Sequence, residues 1–194
     1  MYTYRKIRVS SEDAPKRFYR VMYIREDLNL YEIGVTVLSV LGAEFEHMFL
    51  FKDKLNTYED ESWIEDGFGY DAKDYRKCYL SDLITRSDNS FDLLYDTGDG
   101  WYFKIKIYAK ALEDKDNEFH GMFGYVKEAK GQCIWEDARY AFMMYLAGEK
   151  IKSSEKPWNL PKNKGVNYFD SDVDIDKMNE RLMDLPLLFY ELSK

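Results

Sequence analysis

Only 2 cysteines and 2 histidines occur among the 194 residues, and no apolar run approaches the length of a membrane helix. Each scarcity excludes something. Cys78 and Cys133 lie far apart with no Cys-x-x-Cys pair, which argues against a disulfide framework and a thiolate zinc site and fits reduced thiols in a cytoplasm. Two histidines, His47 and His120, exclude a multi-histidine metal centre. A bilayer span needs about 20 apolar residues, and the start, Met1-Tyr2-Thr3-Tyr4-Arg5-Lys6, enters a strand-like pattern instead of an apolar signal core. The expectation is a cytoplasmic protein, neither secreted nor membrane-bound. Phosphate-cradling glycine patterns are missing as well, because neither Gly67-Phe68-Gly69 nor Gly121-Met122-Phe123-Gly124 is followed by Lys-Ser or Lys-Thr. No serine occupies a Gly-x-Ser-x-Gly elbow and neither cysteine carries a cue for nucleophilic work, so covalent catalysis has no support.

What the chain does hold is apolar and aromatic. A hydrophobic fraction of 45%, with 17% aromatic, requires a packed core even though 33% of residues are charged. A chain of this length forms one domain that buries roughly 70% of its unfolded surface. The net charge of -8 argues against general affinity for DNA or RNA, which rests on Lys and Arg displacing counterions. The average conceals an asymmetry. Arg5, Lys6, Arg8, Lys16, Arg17, Arg20 and Arg25 make the first strands basic, and direct nucleic-acid binding is not expected except through these strands. Glu59, Asp60, Glu61, Glu65, Asp66, Asp71 and Asp74 load a later loop with negative charge.

Periodicity then places the elements. Ile7 and Val9 alternate with charges, and Phe18, Arg20, Met22 and Ile24 continue the pattern, which predicts an opening strand pair. Leu30, Ile33, Val37, Leu38 and Leu41 repeat at helical spacing between a cap at Asp27 or Asn29 and a stop at Gly42. Phe45, His47, Phe49 and Phe51 alternate as a strand, with His47 pointing among aromatics. Residues 52–77 are expected to form an acidic excursion with little structure. A short helix is expected over residues 80–84. Two strands flank Asp96-Thr97-Gly98-Asp99-Gly100, with Trp101, Phe103, Ile105 and Ile107 sharing one face. A polar loop leads to a helix through Ala138, Ala141, Phe142, Tyr145 and Leu146 that has Glu136 and Asp137 in its first turn. A linker with Pro157 and Pro161 precedes a last helix that starts near Asp172 or Asp174 and breaks before Pro186. Strands and helices do not alternate as βαβ units, so the fold class is α+β: a mainly antiparallel sheet with helices packed on one face, in a single domain over 1–194 with a C-terminal linker and helix from about 151.

Four blocks, Leu28-Asn29-Leu30, Phe45-Glu46-His47-Met48-Phe49-Leu50-Phe51, Leu80-Ser81-Asp82-Leu83 and Tyr95-Asp96-Thr97-Gly98-Asp99-Gly100-Trp101, resemble in order and spacing the plasmid pRiA4b ORF-3-like family. The last block is the most specific. The resemblance implies an α+β protein of plasmids and transposons, sometimes labelled resolvase-like, without established chemistry. The chain departs from the family pattern at Tyr19-Arg20, where Trp-Arg is usual, and at Glu136-Asp137-Ala138-Arg139-Tyr140, where a cysteine and two glycines are usual. The missing glycines put in question a site needing tight backbone approach there.

Candidate chemistry concentrates at that acidic turn. Asp96 and Asp99 beside His47 have the ligand types for a divalent Mg²⁺ or Mn²⁺ ion and phosphodiester hydrolysis, with Glu136 and Asp137 as further candidates. A purely structural hairpin explains the same residues, because Gly98 and Gly100 supply positive φ and aspartates bond to turn amides. His120 reads as a surface imidazole. The run Asp170-Ser171-Asp172-Val173-Asp174 is not a calcium loop, since Ile175 stands where Gly is required and Arg181 where Glu is; it reads as helix capping.

In the long loop, Tyr58, Trp63, Phe68, Tyr70 and Tyr75 interleave with acids, a composition suited to anchoring a protein partner. The residues expected to bind a partner are Glu59, Asp60, Glu61, Trp63, Glu65, Asp66, Tyr70, Asp71 and Asp74. The leading functional expectation is a non-enzymatic interaction protein of mobile-element origin. It would meet a basic protein surface, such as a host nucleic-acid-processing complex, and inhibit host defence in an anti-CRISPR manner, with no cofactor. The alternative is a metal-dependent nuclease or resolvase-like accessory using Asp96, Asp99 and His47.

Overall fold

A computed structural model describes residues 1–65, 71–84, 89–115, 118–131, 133–152 and 173–192. Strands β1 (Thr3–Ser11) and β2 (Tyr19–Arg25) form the expected opening hairpin. Helix α1 (Leu30–Leu41) follows, then β3 (Phe49–Lys52), β4 (Thr57–Glu59), α2 (Glu61–Glu65) and β5 (Lys73–Asp74). After a 3-10 turn (Tyr75–Lys77) come α3 (Leu80–Ile84), β6 (Ser90–Tyr95), β7 (Trp101–Glu113) and β8 (Gly124–Lys130). The chain ends with α4 (Arg139–Leu146), α5 (Ile175–Met183) and α6 (Leu185–Leu192). The eight strands form one sheet in the order β5-β4-β3-β6-β7-β1-β2-β8, antiparallel except where β4 meets β5. The fold is α+β.

α1 forms where its caps allow. Asn29 accepts from the Glu32 amide and Glu32 accepts from the Asn29 amide, each at 2.9 Å, a reciprocal box that satisfies two orphan donors of the first turn. Gly42, at φ 86°, closes the other end in the left-handed conformation. Leu30, Ile33, Val35, Val37 and Leu38 are fully buried, so α1 is the central helix of the layer on the inner face of the sheet. The fit is close: a Cβ on Gly34 would meet the Phe49 ring at 2.1 Å. α5 joins the same layer through Asn179, whose side chain accepts from the Val126 amide and donates to the Val126 carbonyl of edge strand β8.

Along β7, buried Trp101, Phe103, Ile105 and Ile107 alternate with exposed Tyr102, Lys104, Lys106 and Tyr108, so this part of the sheet has a dry face and a wet one. Trp101 and Trp135 each meet the Phe142 ring, at 4.9 and 5.5 Å between centroids, and Phe142 also contacts Phe18. This aromatic cluster anchors the segment before α4 against the start of β7. Burying the Phe142 ring contributes about 1.5–3 kcal/mol.

Several expectations are corrected. The strand expected from Phe45 starts at Phe49, because Gly42 turns the chain and Phe45 itself is left-handed at φ 63°. Among the described residues of 52–77 only short elements form, as expected, but two of them, β4 and β5, extend the sheet. Arg20, counted among the basic residues of the first strands, is fully buried, its guanidinium donating to the carbonyls of Val40, Tyr19 and Lys130. The expected polar stretch contains β8, an edge strand with few apolar residues. Glu136 and Asp137 precede α4 instead of lying in its first turn. The helix capped by Asp174 ends at Met183, before Pro186, as expected, but it is not the last: Pro186 sits in the first turn of α6, where its missing amide costs nothing. Among the described residues no helix is long and apolar enough to cross a membrane.

Candidate metal centre

Three segments distant in sequence converge at one end of the sheet: the loop between α1 and β3, the β6–β7 turn, and the stretch before α4. Their backbones are tied together. The Ile134 amide donates to the Leu41 carbonyl at 2.9 Å, the Asp96 amide to the Met48 carbonyl at 3.0 Å, and the Arg139 amide to Asp99 Oδ2 at 2.9 Å. Arg139 also grips Asp13 through two contacts of 3.0 and 2.9 Å, a fork that fixes the start of α4 against the β1–β2 turn.

Within this frame His47, Asp96 and Asp137 meet, with one potential ligand atom from each lying within 4.8 Å of the others. His47 Nε2 is 2.8 Å from Asp137 Oδ1 and 3.8 Å from Asp96 Oδ2. Partial burial by itself would lower the His47 pKa, but the Asp96 charge and the hydrogen bond to Asp137 outweigh it and hold the imidazole above its ordinary range. The environments are graded: Asp96 is buried, His47 half-buried and Asp137 open to solvent. One nitrogen and two carboxylate oxygens suit a divalent cation bound at about 2.0–2.2 Å from each ligand. Ligands around such an ion lie roughly 3–4 Å apart, so the His47–Asp137 pair at 2.8 Å would open slightly, whereas the His47–Asp96 pair at 3.8 Å already falls in that range.

Asp96 has two duties. Its Oδ1 accepts from the amides of Gly98 and Asp99 at 3.0 and 3.1 Å, leaving Oδ2 toward His47. Asp96 takes the left-handed conformation at φ 55° together with Gly100 at φ 74°; Gly98 does not, contrary to expectation. Phe45 and Asp137, at φ 63° and 53°, share this uncommon conformation, so each of the three converging segments carries a non-glycine residue with positive φ.

The other two expected ligands are placed elsewhere. Asp99 spends its Oδ2 on the Arg139 amide, an acceptor that α4 lacks locally because Ala138 makes no side-chain cap. Glu136 is buried and takes the Tyr95 hydroxyl on Oε1, while Oε2 has no hydrogen-bond partner. Burial raises the pKa of Glu136 and of Tyr95. His47 does not point into the core; its ring meets Tyr95 edge-on at 6.1 Å. His120 is exposed, as expected. A cleft of about 480 Å³ borders the same loop, lined by Glu44, Phe45, Cys133, Arg181 and Asp184 among others.

The acidic segment is partly neutralised from within. Asp60 accepts from Tyr75 and Arg76, Lys77 pairs with Glu61 and Asp74, and Asp74 caps the 3-10 turn. Glu59 Oε2 is buried without a partner, and burial raises that carboxyl's pKa. Trp63 is half-buried, whereas Glu65 and Asp71 are exposed. Asp66 and Tyr70 lie outside the described residues, as do Asp170 and Asp172; Asp174 caps α5 by accepting from the Lys177 amide.

A sequence profile of the plasmid pRiA4b ORF-3-like proteins matches residues 3–176, and the chain belongs to that family. Among solved structures, the chain resembles a protein of unknown function, MM3350, from Methanosarcina mazei Go1. The TM-score is 0.67 at 17% identity, covering 89% of this chain and 96% of the other. That likeness is one of fold. No curated protein matches.

Proposed function

We propose that this plasmid pRiA4b ORF-3-like protein holds a divalent cation on His47, Asp96 and Asp137, and that the cation serves hydrolysis of a phosphodiester. The observation that carries this reading is the convergence of one imidazole and two carboxylates, from three separate segments, with ligand atoms within 4.8 Å. Three protein ligands leave positions open for water and substrate, the arrangement of a catalytic ion instead of a closed structural one. The exposure on the Asp137 side gives a substrate access. The ion would polarise a phosphoryl oxygen and lower the pKa of a bound water.

Titration calorimetry with Mn²⁺ and Mg²⁺ tests the site, and cleavage of a chromogenic phosphodiester tests the chemistry. Saturable binding of one ion, lost in His47→Ala and Asp137→Ala while melting temperature stays within a few degrees, is the expected result. Binding that survives both substitutions would refute the site; binding without metal-dependent cleavage would refute the hydrolytic role alone.

The acidic segment supports a second reading less directly. Exposed Glu65 and Asp71 remain available to a basic protein partner, whereas Asp60, Glu61 and Asp74 are already engaged. Inhibition of host defence rests on charge and on the mobile-element associations of the family.

A further inference from the structure

The outer face of the sheet gathers positive charge that the chain as a whole does not have. β1 lies between β7 and β2, and its register sets Arg8 opposite Lys106 and Ser10 opposite Lys104. The two basic strands thereby become neighbours. Ile7 and Val9 turn into the core, so Lys6 and Arg8 share the wet face with Lys104, Lys106, Tyr102 and Tyr108. Directly opposed like charges on a sheet repel. Among the described residues, Lys104 is ion-paired, to Asp92 at 2.6 Å, while Lys6, Arg8 and Lys106 meet no carboxylate. Aromatic rings hold these cations instead: Lys6 and Lys106 flank Tyr108 at 5.3 and 5.7 Å, and the Arg8 guanidinium lies 3.7 Å over Tyr19 while donating to the Pro15 carbonyl at 3.0 Å. Tyr102 and Tyr108 are among the most exposed aromatic rings of the described residues.

We infer that this face, centred on Lys6, Arg8, Lys106 and Tyr108, is a docking surface for single-stranded nucleic acid. Cations aligned along two adjacent strands complement a phosphate backbone, and their interleaving with exposed rings on a sheet surface offers splayed bases a stacking platform. A duplex hides its base faces and would use the charges alone. The surface does not depend on the His47 cluster, because it lies on the solvent side of the central strands and needs no ion.

The test is fluorescence anisotropy of a labelled oligothymidylate of about 15 nucleotides, titrated with the full chain in EDTA at low salt. EDTA separates this result from the metal reading. Saturable binding is expected, weakening with salt by a log–log slope of about 0.7 per phosphate contact. Arg8→Gln with Lys106→Gln should reduce affinity about tenfold or more and flatten that slope. Tyr108→Ala should weaken single-strand binding about tenfold and leave duplex binding unchanged. Circular dichroism on each variant separates lost binding from lost fold, and the glutamine pair keeps volume while removing charge. Absence of binding overturns the inference, as does binding that the folded glutamine pair retains in full. Equal affinity for a duplex of the same length, or tighter capture by polyglutamate or phosphatidylserine vesicles, also overturns it.

Discussion

Replacing Asp96 in two ways separates the structural duty of the β6–β7 turn from the proposed duty at the metal centre. Asp96→Ala removes the acceptor of two backbone amides, those of Gly98 and Asp99. Each amide is partly open to water, so each lost bond costs about 1 kcal/mol. Alanine at a φ of 55° adds about 1 kcal/mol, since the left-handed region disfavours a Cβ without a local polar partner. The total, about 3 kcal/mol, lowers the melting temperature of a domain this size by roughly 6–12 °C. Asp96→Asn keeps an oxygen for both amides and a residue type tolerant of the left-handed region, and should cost under about 1 kcal/mol. It nonetheless removes the anionic oxygen that faces His47 at 3.8 Å.

The assay is thermal unfolding with and without Mn²⁺. At an ion concentration of about 100 times Kd the wild type gains about 2.7 kcal/mol, a rise of roughly 5–10 °C. Asp96→Asn should melt near the ion-free wild type and show little of this rise; Asp96→Ala should melt low in both conditions. A full Mn²⁺-induced rise in Asp96→Asn would remove Asp96 from the ligand set. An Asp96→Ala variant as stable as Asp96→Asn would show that the turn does not depend on Oδ1.

Asp99→Ala should lose about 1 kcal/mol by uncapping the Arg139 amide yet bind Mn²⁺ as the wild type does, which calorimetry checks; loss of binding would return Asp99 to the ligand set. Asp60 gives a pH signature. Burial pushes its pKa up, but hydrogen bonds from Ser62, Tyr75 and Arg76 outweigh burial and hold it below the usual carboxylate value. A carboxyl depressed in the folded state adds stability above its unfolded pKa of about 3.9 and loses that stability as pH falls through the folded value. The wild type should therefore exceed Asp60→Asn in denaturant midpoint at neutral pH, and the gap should close below about pH 4. A gap unchanged by acid would refute the assignment.

How much of this was legible in the sequence varies with the kind of signal. The limits of α1 were readable because Asn29, Glu32 and Gly42 act through bonds within a few positions. The alternation of Phe45, His47, Phe49 and Phe51 misled because period 2 continues on paper through a left-handed residue that ends it in space. β8 escaped because an edge strand facing water on one side carries charges, here Lys127, Glu128 and Lys130, where a central strand carries apolar residues. At the site, His47, Asp96 and Asp137 were all nameable as chemistry-bearing residues, but their grouping was not. Sequence adjacency favours Asp99 as the partner of Asp96, whereas the turn directs Asp99 to α4 and brings in Asp137, 90 positions from His47.

A structural duty and the proposed metal-binding duty are compatible at Asp96 because a carboxylate has two oxygens. Oδ1 holds the turn amides, which fixes the side-chain rotamer, and a fixed rotamer aims Oδ2 at His47 without entropy to lose on binding an ion. The same reasoning covers the backbone. Phe45, Asp96 and Asp137 are three of six non-glycine residues with positive φ among those described, and each lies on a segment that meets at His47. A left-handed conformation costs about 1–2 kcal/mol at a residue with a Cβ. Convergence of three such costs requires that the surrounding packing over-determine them. Here that packing is the Trp101–Phe142–Trp135 cluster beneath, together with the amide ties from Ile134 to Leu41 and from Asp96 to Met48. Glycine at position 96 would relieve the strain but would lose the Oδ1 acceptor of the Gly98 and Asp99 amides. At position 96 the carboxylate therefore serves the turn through Oδ1 and leaves Oδ2 for the proposed ion.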